Sequence, residues 1–302
     1  MKNKQIAIRA VVAATATLLA IAPQQLHAQK LATQWITADL GGGLHSITFK
    51  AANGEHKPGV GTTLNIRYMQ YLTNEIGVGG GMAITTYKSK SIYTFIDRSD
   101  YNDEYVNANG ETEIYKFQLR SYLNNMTEKQ NILQLELPVG VFYKISNFAT
   151  NADLLLNAGF RIGIPVWNNY KLVDGKYETR GYSYDLNVEL DSMSQHGFTS
   201  VKADKQKGKA DICKINLALY GEALYVYKLN RKQLLYGGLY MSYAPTNTVK
   251  KNSNPVISNG GKYNGTLQSN QVDKAHLLTL GIKIGLMLDF NTTFHINSTR
   301  KF

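Results

Sequence analysis

The stretch His276–Phe290, HLLTLGIKIGLMLDF, decides the fold. Every second residue is large and apolar: Leu278, Leu280, Ile282, Ile284, Leu286, Leu288 and Phe290. The residues between them, Leu277, Thr279, Gly281, Lys283, Gly285, Met287 and Asp289, are mostly small or polar. Successive side chains of a strand point to opposite faces, so a period of two is the signature of a strand that meets an apolar medium on one side only.

The same split recurs upstream. Leu133, Leu135, Leu137, Val139, Val141, Tyr143 and Ile145 oppose Gln134, Glu136, Pro138, Gly140, Phe142 and Lys144. Leu154, Leu156, Ala158, Phe160, Ile162, Ile164 and Val166 oppose Leu155, Asn157, Gly159, Arg161, Gly163 and Pro165. Alternation and turn residues predict five more strands, at about Gln34–Phe49, Gly59–Leu72, Glu75–Tyr87, Asp211–Lys228 and Gln233–Ala244. The count is eight.

Connection lengths give an independent signal. The links TN, SNFAT and LNRK, after the second, fourth and sixth strands, are short. Those after the first, third, fifth and seventh strands are long: about Lys50–Pro58, Lys88–Gln130, Trp167–Ala210 and Pro245–Lys274. Outer-membrane barrels alternate short periplasmic turns with longer extracellular loops in this way. The predicted fold is therefore all-β: a closed antiparallel transmembrane β-barrel of about eight strands with long extracellular loops. An even strand number puts both ends of the barrel on the periplasmic side. The long segments, such as DRSDYNDEYVNANGE and KKNSNPVISNGGKYNG, read as too polar to bury a core. EIYKFQLRSY and GYSYDLNVEL still alternate and could continue strands above the membrane.

The start of the chain reads as an export signal over residues 1–28. Lys2, Lys4 and Arg9 precede the apolar run AVVAATATLLAIA, and Ala28 offers a cleavage point. That run is too short to span a bilayer as a helix, and nothing after it approaches the roughly 18 apolar residues a membrane helix needs. The barrel then occupies 29–290 and a tail 291–302. The single cysteine, Cys213, permits no intramolecular disulfide and lies too far downstream to anchor a lipid at the new N-terminus; it reads as a passive small residue.

The net charge of +11 becomes +8 once the three cations of the first 28 residues are set aside. The basic residues are scattered among strands and loops, with no basic helix or aromatic RNA-binding signature, so nucleic acid is not a predicted partner. Outer-membrane lipid, with its anionic head groups, is. An envelope or secretion-machinery protein is a further candidate partner.

In lipid every backbone polar group must be paired within the protein, so strands can cross only as a sheet without edges. Apolar residues then face outward and the opposite parity inward. With about eight strands the interior is just wide enough for side chains to fill. Asp39, Arg67, Glu136, Arg161, Glu222 and Lys283 fall on the inward parity and form the candidate site, an ionic, hydrogen-bonded lumen network with a structural role. Charges solvated at the barrel mouths are the competing reading. Trp35, Tyr68, Tyr71, Tyr143, Tyr225, Tyr227, Tyr243 and Trp167 read as interfacial girdle residues. Pro138 removes a ladder hydrogen bond, which predicts a bulge or a gap in pairing there.

At ILQLELPVGVFYKI and NADLLLNAGFRIGIPV, with an opening strand ITADLGGGLHS, the chain resembles the outer-membrane β-barrel domain family common in Bacteroidetes. That family is labelled porin-family or PorT-like and is similar in architecture to the OmpA-type barrel. The resemblance implies a fold and an outer-membrane location but transfers no catalytic residues.

No enzyme constellation stands out. His45, His56, His196, His276 and His295 accompany no nucleophile motif such as G-x-S-x-G and no H-E-x-x-H spacing. No catalytic, cofactor-binding or metal-binding residue is predicted. The predicted role is structural, adhesive or envelope-docking, with a small-solute porin as the alternative and an outer-membrane lipid-modifying enzyme as a further one.

Overall fold

The computed structural model describes residues 33–50, 53–106, 109–194, 197–202, 206–210, 214–250 and 253–289. The predicted signal, Cys213, His196, His295 and the C-terminal tail lie outside them. The chain runs through β1 (Gln34–Phe49), β2 (Gly54–Pro58), β3 (Val60–Tyr71), β4 (Ile76–Val106), β5 (Thr112–Ala149), β6 (Ala152–Ser183), β7 (Val188–Leu190), β8 (Ser200–Lys202) and β9 (Lys207–Lys209). It continues through β10 (Asn216–Lys228), β11 (Gln233–Ala244), β12 (Ile257–Ser258), β13 (Lys262–Tyr263) and β14 (Ala275–Asp289). Among the described residues no helix is long and apolar enough to cross a membrane.

Eight of these strands form a ring. The antiparallel pairings run β1–β3–β4–β5–β6–β10–β11–β14 and return from β14 to β1, with Leu40 opposite Ile284 at the closing seam. Each strand thereby pairs on both edges, which is what removes the unpaired backbone groups that lipid would not tolerate. Short turns join β3 to β4, β5 to β6 and β10 to β11. In the first, Thr73 Oγ1 accepts from the N–H groups of Glu75 and Ile76 at 3.2 and 2.9 Å. In the second, Asn151 adopts φ 57°, a left-handed conformation that asparagine tolerates.

The outer wall is apolar. Leu40, Leu64, Ile66, Val139, Phe160, Leu239, Leu280 and Ile282 are each at least half exposed, on every side of the ring. A water-soluble protein does not leave so large a contiguous patch uncovered. Of the aromatic residues predicted for the girdle, Tyr143, Tyr225, Tyr227, Tyr243 and Trp167 do face outward. Trp35 does not: it shares the inward parity of Thr37 and Asp39, and packs inside the barrel with Met69, Phe142 and Met287. Tyr71 packs against that same cluster, its ring edge-on to Phe142 at 4.8 Å.

Pro138 keeps register with β6, opposite Arg161, but Gly81 and Met82 of β4 have no ladder partner where Leu137 and Pro138 pass them. The proline leaves a gap on one edge only.

The predicted loops are largely strand. β4, β5 and β6 contain 31, 38 and 32 residues, three times the 9–11 that cross a bilayer. They continue beyond the ring as a three-strand ribbon, edged by β2 on β4 and by β7, β8 and β9 on β6. The segment Pro245–Lys274 is a second departure, because it does bury a core. Val249, Leu267 and Val272 join Ile47, Phe49 and Ile132 over the ribbon-side mouth, and Val256, Ile257 and Tyr263 pack with Tyr93, Met126, Tyr170 and Leu172 on the inner surface of the ribbon. Its apolar residues are too widely spaced to show a period, so their packing is set by the surface they meet rather than by their own pattern.

Candidate functional site

Six strands each place one charged side chain in the barrel interior: Asp39 from β1, Arg67 from β3, Glu136 from β5, Arg161 from β6, Glu222 from β10 and Lys283 from β14. All six are buried. Glu222 is the hub. Its two oxygens meet Arg67 Nη1 at 2.7 Å, Arg161 Nη2 at 3.1 Å and Lys283 Nζ at 2.7 Å. Asp39 receives Arg67 Nη2 at 3.3 Å and Lys283 Nζ at 3.4 Å, while Glu136 receives Arg161 Nη1 at 3.2 Å.

Three acids and three bases leave the layer electrically neutral. Neutrality alone is insufficient, because each ion loses its hydration on burial and needs its remaining lone pairs and protons satisfied. Neutral donors satisfy the carboxylates further, while Arg67 Nε and Arg161 Nε are buried without a hydrogen-bond partner. Tyr236 donates to Asp39 at 2.8 Å, Tyr87 to Glu136 at 2.6 Å, Asn157 to Glu222 at 3.1 Å and Asn65 to Asp39 at 3.3 Å. The Arg161 guanidinium lies 4.7 Å from the centre of the Tyr220 ring, a cation–π contact.

These buried tyrosines are members that sequence reasoning missed, having counted tyrosine only as a girdle residue. The signal was present in β11, where Tyr236 and Tyr240 share one parity with Ser242 while Leu239, Met241 and Tyr243 share the other. Glycine makes the room. A Cβ on Gly285 would stand 2.7 Å from Tyr236 Cζ, and one on Gly41 would stand 2.9 Å from Tyr240 Cε1. Bare backbone on the adjacent β14 and on β1 beyond it therefore seats the two rings.

Apolar layers bound the ionic one on both sides. Trp35, Met69, Phe142, Leu155, Leu224, Val226 and Met287 fill the short-turn end. Residues of β1, β5, β10 and β14, with Val249, Leu267 and Val272 of the β11–β14 connection, fill the other. Buried side chains thus occupy the interior at the ionic layer and on both sides of it.

Of the described histidines, His45 is buried in the interior, whereas His276 lies on the outward parity with its ring against Tyr243. His45 Nε2 lies 2.5 Å from Tyr240 Oη, His56 Nε2 lies 2.6 Å from the Ile47 carbonyl, and His276 Nδ1 lies 3.3 Å from that of Ala244. Among the described residues no group of three His, Cys, Asp or Glu side chains could hold a metal ion.

A second buried polar site lies beyond the outward lysines Lys88 and Lys90 of β4. There Glu128 of β5 accepts from Tyr263 Oη at 2.5 Å, from the Thr266 N–H at 3.0 Å and from Gln130 Nε2 at 2.7 Å. The β11–β14 connection is thus tied to the ribbon through one carboxylate. Burial pushes the Glu128 carboxyl above its ordinary range, against the opposing pull of these donors.

No family profile and no curated protein matches this chain. Solved structures that resemble it include Neisserial surface protein A, at 10% identity over 86% of this chain and 100% of that one, with a TM-score of 0.34. OprG from Pseudomonas aeruginosa is 14% identical over 86% and 96%, with a TM-score of 0.36. A major outer membrane protein from Thermus thermophilus is 14% identical over 85% and 99%, with a TM-score of 0.35.

Proposed function

We propose that this chain is an outer-membrane β-barrel whose role is structural, adhesive or docking, and that it does not conduct solutes. The packed interior carries this reading: a neutral six-ion layer stands between two apolar plugs, so a hydrated solute would have to break buried ion pairs to pass. The apolar outer wall supports placement in a bilayer. The three-strand ribbon supplies the surface on which a partner, an envelope protein or another cell's surface, would dock, since rigidly held projecting segments commonly carry function.

The test is heat-modifiable gel migration of the refolded protein, joined to single-channel recording in planar bilayers. A compact unheated band without conductance supports the reading. Steady open-channel steps would replace it with the small-solute porin.

A further inference from the structure

The strand register brings five lysines into one line. Lys57 of β2 is directly opposite Lys90 of β4, Lys90 opposite Lys129 of β5, Lys129 opposite Lys171 of β6, and Lys171 opposite Lys207 of β9. Paired residues of a sheet point to the same side. Here the side is outward, because the flanking residues Ser89, Ser91, Glu128, Gln130, Tyr170 and Leu172 are buried. With neighbouring strands about 4.8 Å apart, the row spans about 19 Å.

Like charges directly opposite one another on a sheet are destabilising, and among the described residues no carboxylate pairs with this row. Among the described residues none of the five forms an ion pair, and neither does Glu55, which shares the face of Lys57 two residues away. A second cationic row farther along the ribbon, Arg98–Arg120–Arg180, is compensated at two of its three positions: Arg120 and Arg180 have Glu189 at 2.7 and 3.2 Å, and Arg180 has Glu178 at 2.7 Å.

Position narrows the counterion. Lys171 lies four residues beyond the outward Trp167, about 13 Å along the strand, and Phe160, Ile162 and Val166 continue the apolar wall below that tryptophan. The amines therefore stand just beyond the outward tryptophan that borders this apolar wall, facing sideways. We infer that the row Lys57–Lys90–Lys129–Lys171–Lys207 is a docking site for the phosphate groups of outer-leaflet glycolipid, whose acyl chains lie against the apolar wall beneath. This rests on the outer-membrane reading above.

The experiment uses the chain from Gln29 onward, refolded in phosphatidylcholine nanodiscs and titrated with diphosphoryl lipid A or the same lipid with its phosphates removed, with bound lipid counted by native mass spectrometry. One variant carries Lys90→Gln, Lys129→Gln and Lys171→Gln, and a charge-matched control carries Lys214→Gln, Lys262→Gln and Lys274→Gln. The parent and the control should prefer the phosphorylated lipid by at least about tenfold, and the row variant should lose that preference. Equal binding of the two lipids by the parent, a preference that survives in the row variant, or equal loss in the control would each overturn the assignment. Row-dependent binding of soluble dextran sulfate without lipid preference would also overturn it, in favour of an external polysaccharide. Heat-modifiable migration of every variant separates the two readings: a heat-modifiable barrel without lipid preference sinks the row alone, whereas a chain that does not insert sinks both.

Discussion

Lys283 Nζ stands 2.7 Å from Glu222 Oε1, both side chains sealed from solvent, across the barrel from strands that are not neighbours: β11 lies between β10 and β14. The pair belongs to a layer in which Glu222 alone faces three cations. Removing it leaves Arg67, Arg161 and Lys283 sharing Asp39 and Glu136. Glu222→Gln is predicted to cost about 3–5 kcal/mol, the penalty of uncompensated buried charge. Urea unfolding followed by loss of the heat-modifiable band measures it. The double variant Glu222→Gln, Lys283→Met should recover part of the loss, since it removes one of the stranded cations, and an additive result would show that the two residues are not coupled.

Arginine should fail on the wall and in the lumen for different physical reasons. Leu280 and Ile282 face outward, so Leu280→Arg and Ile282→Arg are each expected to impair insertion by about 2–4 kcal/mol near the bilayer midplane. Thr279, between Leu278 and Leu280, is fully buried with its hydroxyl 2.7 Å from Ser242 Oγ. Thr279→Arg overfills that site and should also fail, while Thr279→Ser should be nearly silent. Refolding yield into lipid vesicles reads all four, and a tolerated Ile282→Arg would contradict the outward assignment.

Gly285 tests the seating of the tyrosine rings. A methyl group there would stand 2.5 Å from the Ala38 carbonyl oxygen and 2.7 Å from Tyr236 Cζ. Gly285→Ala should cost about 1–3 kcal/mol by overpacking. Because backbone as well as ring is too close, removing the ring with Tyr236→Leu should not rescue it. Full rescue, measured by thermal loss of the compact band, would show that the ring alone sets the limit.

The Glu128 contact should depend on pH. Its carboxyl titrates above its unfolded value of 4.5 because burial disfavours the charged form, so the folded state holds its proton to higher pH than the unfolded state does. The carboxyl therefore stabilises the docked connection more fully below about 4.5, and that contribution is lost as pH rises through the folded value. Protection factors of residues 256–268, which remove the intrinsic pH dependence of amide exchange, should rise on acidification across this window. Glu128→Gln, which remains uncharged throughout, should hold the connection docked at neutral pH and abolish the change. An unaltered pH response in that variant would rule Glu128 out as the cause.

Alternation within each segment was enough to determine eight strands, the outward side of each and the inward parity of Asp39, Arg67, Glu136, Arg161, Glu222 and Lys283. Parity is a local property: the period of two is written into consecutive residues, and burial on one side only is what selects it. The direction of Trp35 was legible by the same rule, since it shares a parity with Asp39; the composition of an aromatic girdle outweighed that rule in the sequence reading, and the packing of Trp35 on Met69 and Phe142 corrects it.

What the tertiary structure decided is everything that depends on register between segments. Glu222 meets Lys283 only because β10, β11 and β14 are staggered as they are, and five lysines from five strands, no two of them close in sequence, align only through the same stagger. The β11–β14 connection shows no apolar period, and Val256, Ile257 and Tyr263 find a core only against the inner surface that β4, β5 and β6 provide. Sequence fixes which way a side chain points along its own strand, whereas closure of the ring fixes whom it faces, because hydrogen bonding across strands must be satisfied all the way round at once.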